Sequence, residues 1–336
     1  MNRTYDTDTL LSVVAGLAPF EAFLIKLFFP NLVTFDTSTI SFDLVAEDMR
    51  LAPFVSPLVA GKVMKDKGGS LKSFKPAYLK PKNVVDPERV LMRRPGEAIG
   101  GRLSAGARRN AIIADILQEH RKKVMRRLEH MAAQVLLTGK VVVTGEDYPT
   151  VEVDYGRAAG NTVALIGGAR WGEATAQPLD DIEAWAALAE APITTLVMDR
   201  LAYRNFVKND EVKKLLDGRR NSRSEMEVGP DAGRLYSYKG TLGSDIEVWV
   251  YSGYYRDEDG NKVNYLPDNT VIAGSAALDG VQAFGAILDP EAGYQAMEMF
   301  PKNWISDDPA AEFVMTQSAP LMIPRRVNAV VTATVR

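Results

Sequence analysis

The stretch SAGARRNAIIADILQEHRKKVMRRLEHMAAQVLLTG, from Ser104 to Gly139, decides how the rest of the chain is read. Ser104 is suited to cap a helix N-terminus and Gly139 to end one in the left-handed conformation; no Pro or Gly interrupts the run after Gly106. Ile113, Leu117, Val124, Leu128, Met131 and Val135 recur at spacings that keep them on one stripe of a helical period. The pattern predicts a single helix over 104–138. At about 1.5 Å per residue it runs to roughly 50 Å, longer than one compact core requires, so it reads as a beam whose stripe packs on something else.

The 336 residues are 46% hydrophobic and 25% charged, with a net charge of −3. That length predicts two lobes or one elongated one, the composition a folded chain. A nearly neutral total argues against general nucleic-acid binding and leaves local patches to be weighed. The absence of cysteine excludes disulfides, thiolate metal sites and cysteine nucleophiles. The two histidines, His120 and His130, both fall on the long helix. Ten residues is about 1000° of rotation, so they cannot share one metal ion and read as solvated or interface side chains. No GxxxxGK[ST], GxGxxG, GxSxG or HExxH pattern occurs. The acidic runs Asp257-Glu258-Asp259 and Asp307-Asp308 lie in turn-like sequence. No catalytic, cofactor-binding or metal site is expected, and the chain reads as non-enzymatic.

Leu10 to Phe35 is the most apolar segment. Pro19, Glu21, Lys26 and Pro30 break it into pieces too short to span a membrane, and its leading residues lack a basic region with a cleavage site, so neither anchor nor signal peptide is expected. Phe23, Leu24, Leu27, Phe28 and Phe29 must be buried, in the chain's own core or against a neighbouring subunit. Residues 39–45 alternate as a strand. Residues 59–80 read as a long hairpin turning at 66–70, polar on both faces and rich in cations: Lys62, Lys65, Lys67, Lys72, Lys75 and Lys80, with Lys82 just beyond. Such a ribbon needs a surface to lie on, and its charge suggests an acidic one. It is a solvated hairpin, an intersubunit arm or a nucleic-acid ribbon. On the long helix, Arg121, Lys122, Lys123, Arg126 and Arg127 gather beside His120. They serve as a solvated face, as partners for acidic residues of adjacent subunits, or as phosphate contacts. A DNA-associated binding protein using the hairpin and the 121–127 cluster is the alternative from another functional class.

Further on, residues 140–153 form a second hairpin candidate, and a Gly- and Ala-rich loop leads to Gly172. Asp180 with Glu183 reads as a capping box for a helix through Glu190. A buried strand at 194–198 leads to Asp199, which caps a helix through Val207, followed by a helical piece ending at Gly218. Residues 219–234 are almost devoid of apolar side chains and read as a surface loop. Strands are expected at 246–251, 270–274, 280–288, 294–300, 311–318 and 327–335, which makes the class α+β.

Eight segments carry a resemblance: FLIKLFFP (23–30), VSPLVAGKVMKDKGG (55–69), FKPAYLKPKNVVDP (74–87), VEVDYGR (151–157), DDIEAWAAL (180–188), VYSGYY (250–255), LPDNTVIAG (266–274) and FPKNWISDDPAAEFVMTQSAPLM (300–322). In order and spacing the chain resembles the major capsid proteins of lambda-like tailed phages, the E family, departing in the first twenty or so residues, around 227–234 and after Ile323. The resemblance implies the Hong Kong ninety-seven fold. By position, 1–35 would be an N-terminal arm, 36–54 a strand joining the peripheral domain, and 55–95 an extended hairpin loop. Residues 96–192 would be the peripheral domain with spine helix 104–138, 193–300 an axial domain, and 301–336 strands returning to the peripheral sheet. It further implies hexamers and pentamers in an icosahedral shell around packaged double-stranded DNA, assembled in the bacterial host cytoplasm and carried in the virion. Scaffold, portal and a decoration protein would be partners; no cofactor, metal or membrane is implied. Intersubunit contact would fall to Phe23, Leu27, Phe28, Phe29 and the hairpin lysines, with the 121–127 cluster facing neighbours or DNA.

Overall fold

The computed structural model describes residues 7–16, 22–37, 39–45, 69–92, 103–145, 148–217, 225–226, 235–243, 245–308 and 311–336. Its helices are α1 (Thr7–Gly16), α2 (Phe23–Phe28), α3 (Pro87–Leu91), α4 (Ala105–Thr138), α5 (Pro178–Leu188), α6 (Arg200–Lys208) and α7 (Asp210–Asp217). The long helix α4 is one uninterrupted run of 34 residues. Ser104 Oγ accepts from the Ala107 amide at 3.2 Å, and Gly139 closes the helix at φ 69°. Only glycine suits that position twice over, because a Cβ there would stand 2.4 Å from the Arg157 side chain.

Two hydrophobic cores are built on α4. Its first half lies on an antiparallel sheet of Phe300–Ser306, Ala311–Gln317 and Lys82–Val85, in that order. Ile112, Ile113, Ile116 and Leu117 meet Leu10, Val85 and Val314 there. Its second half joins the main core, where Val124, Leu128, Met131 and Val135 pack with Phe23, Phe28, Leu321 and Met322. The expected stripe is therefore buried, partly against the closing strands.

The second lobe is a seven-stranded mixed sheet in the order Thr162–Ala164, Val331–Thr334, Thr270–Gly274, Thr195–Met198, Ile246–Tyr251, Tyr236–Leu242, Glu225–Met226. Strand side chains alternate between two cores, as the pleat requires. Val197 and Ile272 face the α4 side. Leu196, Met198, Val271 and Ala273 face the other, where Trp171, Trp185 and Phe206 from the α5–α6 region cover them. Asn31–Phe35 pairs in parallel with Gly280–Gly285, which also pairs with Pro320–Pro324. Lys140–Gly145 and Tyr148–Asp154 form the expected hairpin.

Several expectations change. The strand Gly69–Phe74 pairs antiparallel with Ile40–Val45, so the ribbon joins these two segments. The expected first strand at 59–65 and most of the turn at 66–70 lie outside the described residues. Of the strand expected at 294–300 only Phe300 is one: Gly293 at φ 60° and Tyr294 at φ 57° turn the chain, and the strand is Phe300–Ser306. Helix α5 starts at Pro178 with Gln177 at its cap and no side-chain cap bond, replacing the Asp180 capping box; proline supplies the preset φ of a first helical residue. The last strand, Val331–Thr334, enters the seven-stranded sheet rather than returning to the sheet beneath α4. Of the loop expected at 219–234, Glu225–Met226 is an edge strand paired with Thr241 and Gly240, and the remainder lies outside the described residues.

Candidate assembly site

Phe23, Phe28 and Phe29 are at most 4% exposed within the chain itself. They have no surface left for a neighbour in this conformation, so the intersubunit role gives way to burial in the chain's own core. Phe23 stacks on Tyr236 and Tyr251, with centroids 4.7 and 5.2 Å apart. Leu27 remains half-buried.

The fastening of this segment is polar. Glu129, 1% exposed on α4, accepts from the amides of Leu24 at 2.8 Å and Ile25 at 3.2 Å and from the Tyr251 hydroxyl at 2.8 Å. The carboxylate thus joins α2, α4 and the seven-stranded sheet. It has backbone dipoles and a phenol as partners instead of a cation. Burial raises its pKa while these hydrogen bonds oppose the rise. Tyr251 is pushed up by burial and by Glu129.

His120 also departs from expectation: it is buried, with Nε2 2.8 Å from Asn83 Oδ1 and Nδ1 3.0 Å from Thr316 Oγ1. Asn83 Oδ1 can only accept, so the imidazole carries its proton on Nε2 and accepts the Thr316 hydroxyl at Nδ1. Burial, helped by nearby Lys123, lowers its pKa to about 4. His130 packs edge-on to Tyr255 at 5.0 Å, and burial and Arg127 lower its pKa too. Further along the same helix and sheet, Arg109 Nε donates to Glu312 Oε2 at 2.6 Å, and Asn303 Nδ2 donates to Glu312 Oε1 at 2.8 Å.

Arg157 holds the far end of α4. Its Nη1 donates to Leu136 O at 2.7 Å and its Nη2 to Asn161 O and Val330 O at 2.8 and 3.0 Å. Desolvation pushes its pKa down to about 10.

The lysines of the expected loop divide. Lys62, Lys65 and Lys67 lie outside the described residues; Lys72 stands opposite Phe42 in the ribbon. Lys75 and Lys80 are exposed, Lys80 lying 5.1 Å from the Tyr78 ring centre. Lys82 belongs to the sheet beneath α4, its ammonium 4.1 Å from the Phe313 ring and 5.1 Å from that of Trp304. Lys82 therefore belongs to this sheet and not to the loop expected over 55–95. In the helical cluster, Lys123 and Arg127 are exposed and Lys122 is half-buried. Arg121 Nη1 donates to Val14 O at 2.8 Å, pinning α1, and Arg126 lies 3.4 Å from Glu119. The cluster is a mixed face, only partly open.

Glu129, Tyr251, Arg109, Glu312 and Arg157 had no place in the sequence reading. A signal for Glu129 existed: Ala132, Ala133 and Leu136 follow it at helical spacings and are buried, marking a second apolar face. Among the described residues no group of three or more His, Asp or Glu side chains could hold a metal ion. No helix among them is long and apolar enough to cross a membrane.

A long helix laid on an antiparallel sheet, with a mixed-sheet lobe beyond it, is the fold of phage capsid proteins, the Hong Kong ninety-seven fold. The putative capsid protein of a prophage of E. coli CFT073 superposes with a TM-score of 0.77 at 28% identity, over 99% of both chains. The mature capsid of bacteriophage PhiM1 shares the fold at a TM-score of 0.54 and 10% identity, over 95% of this chain and 88% of that one. A family model described as phage major capsid protein E matches residues 6–335. The major capsid proteins of Escherichia phage N15 and Escherichia phage lambda are 38% and 37% identical to it over 327 residues, 95% of each chain. The chain belongs to the phage major capsid protein E family. It is a structural, non-enzymatic component of the virion whose copies associate with one another.

Proposed function

We propose that copies of this chain associate as hexamers and pentamers and close an icosahedral head around packaged double-stranded DNA. The observation that carries this reading is the match to lambda-like major capsid proteins over 95% of both chains. The extended loop, ending before Lys82, lies across a neighbour's sheet-and-spine lobe, with its lysines meeting acidic side chains. The seven-stranded lobe faces its own copies at the capsomer centre. Ring closure and repetition turn modest contacts into a stable shell. Scaffold, portal and a decoration protein are the further partners of this reading, and the bacterial host cytoplasm is where assembly occurs. No observation favours the DNA-associated alternative.

Electron microscopy and light scattering of the purified full chain test it. Capsomers, shells or tubes are expected. A strictly monomeric protein at every salt and protein concentration would overturn it.

A further inference from the structure

We propose that the cleft between α6 and Arg336 binds a small phosphate-class anion: inorganic phosphate or a short oligophosphate. The cleft, about 290 Å³, is lined by Leu201, Arg204, Asn205, Lys208, Asn269 and Arg336. Leu201, Arg204 and Lys208 follow at spacings of three and four on α6, which places them on one face. Arg336 arrives from a different part of the chain. The strand before it is fixed by the Val335 amide donating to Asn269 O at 2.9 Å. Its Nη1 lies 3.2 Å from the point where a Cβ on Gly172 would stand, and Asn205 Oδ1 lies 3.4 Å from that point. That point lies in the adjoining larger cavity, which Gly172 lines at φ 101°, so Arg336 and Asn205 form the wall between the two spaces.

Three cations are thus brought to one concavity by two elements remote in sequence. Among the described residues, none of the three forms an ion pair with an acidic side chain. Gathered like charges repel, and Arg204, Lys208 and Arg336 are all exposed, so an anion from solution can reach the three together and relieve their repulsion. Asn205, only 8% exposed, adds an amide next to Asn269. The adjoining cavity of about 440 Å³ shares Asn205, Lys208 and Arg336 but adds Glu173, Asp210 and Glu211. The narrower cleft is therefore the anion's place. A single concavity suits one or a few phosphate groups; a DNA duplex, with a charge every ~1.7 Å along its axis, calls for an extended basic stripe instead.

The test is titration calorimetry of the full-length chain with tripolyphosphate at low salt, repeated with R204Q/K208Q, with R336Q and with the control K122Q/K123Q/R127Q. Saturable binding is expected in the wild type and the control. It should weaken about tenfold or more in R204Q/K208Q and in R336Q, with their thermal midpoints unchanged. Absence of saturable binding, or affinity unchanged in R204Q/K208Q, would overturn the assignment. A short DNA duplex is the competing probe. If it binds through Arg204 and Lys208 and tripolyphosphate fails to displace it, the small-anion assignment is wrong and the site reads nucleic-acid phosphate.

Discussion

His120 and Glu129 stand on the same helix, nine residues or about 900° apart, and so look out from opposite sides of α4. Both are buried and titratable, and among the described residues neither has a direct partner of opposite charge. His120 is held neutral between two uncharged side chains and fixes the helix to its sheet. Glu129 gathers amides from a segment more than a hundred positions away, together with the Tyr251 hydroxyl, and so fixes the N-terminal segment and the second lobe to the same helix. Hydrophobic burial gives each side its bulk stability. The polar group selects which strand or helix end may dock there. A helix that seemed to need one packing surface has two, and each is keyed by a different chemistry.

The largest effect expected from breaking this arrangement is on the Glu129 side. Glu129→Ala strands two buried amides and a phenol, and should cost about 3 kcal/mol or more, read by chemical denaturation. A loss below about 1 kcal/mol would show that α2 finds other partners. His120→Ala leaves Asn83 and Thr316 unpaired beside a small cavity, and should cost about 2 kcal/mol.

Acid separates the two sides by sign. His120 has its pKa lowered from 6.5 to about 4, so the stability it contributes is present above about 6.5 and is lost as pH falls toward about 4. Glu129 has its pKa raised, so its contribution is fully present below its ordinary value of 4.5 and is lost as pH rises through the raised one. Denaturant midpoints measured across this range should fall with acid in the wild type and fall less in His120→Gln. They should fall more steeply in Glu129→Gln. His130, lowered in the same direction as His120, leaves a residual slope in every variant. Equal slopes in all three proteins would remove the assigned roles.

The smallest effect on folding, and a large one on assembly, is expected for Lys65, Lys67, Lys72 and Lys75 replaced together by Glu. Lysines on a ribbon whose sequence is polar on both faces contribute little to stability, so the thermal midpoint should stay put while shells fail to form. Normal shells from this variant would remove the loop's proposed role.

What was legible in the sequence was local. Ser104, Gly139 and the Ile113–Val135 stripe declared α4, and Asp199 declared α6, because capping and periodicity act within a turn or two. Partners remote in sequence left no such mark. The polar strand at 69–74 alternates in a way that fits many registers, so its pairing with 40–45 was not readable. His120 looks like a surface residue because it adjoins the basic run at 121–127, and only Asn83 and Thr316 make it an interior one. The shell itself was legible only through resemblance, since assembly surfaces are ordinary polar surface until a second copy covers them.

The parallel pairing of Asn31–Phe35 with Gly280–Gly285 sets a clock on the protein's birth. Asn31 also waits for Asp279, 248 residues later, to which its side-chain amide donates at 2.9 Å. At roughly 5–20 residues per second, the ribosome delivers that partner about 12–50 s after Asn31 has been made. Phe23 can meet α4 and the strands carrying Tyr236 and Tyr251 earlier, but Phe28 and Phe29 lack the strand that begins at Gly280 until the end of that interval. Chains truncated short of residue 280 lack this strand pair and are expected to aggregate, read by sedimentation of the expressed fragments.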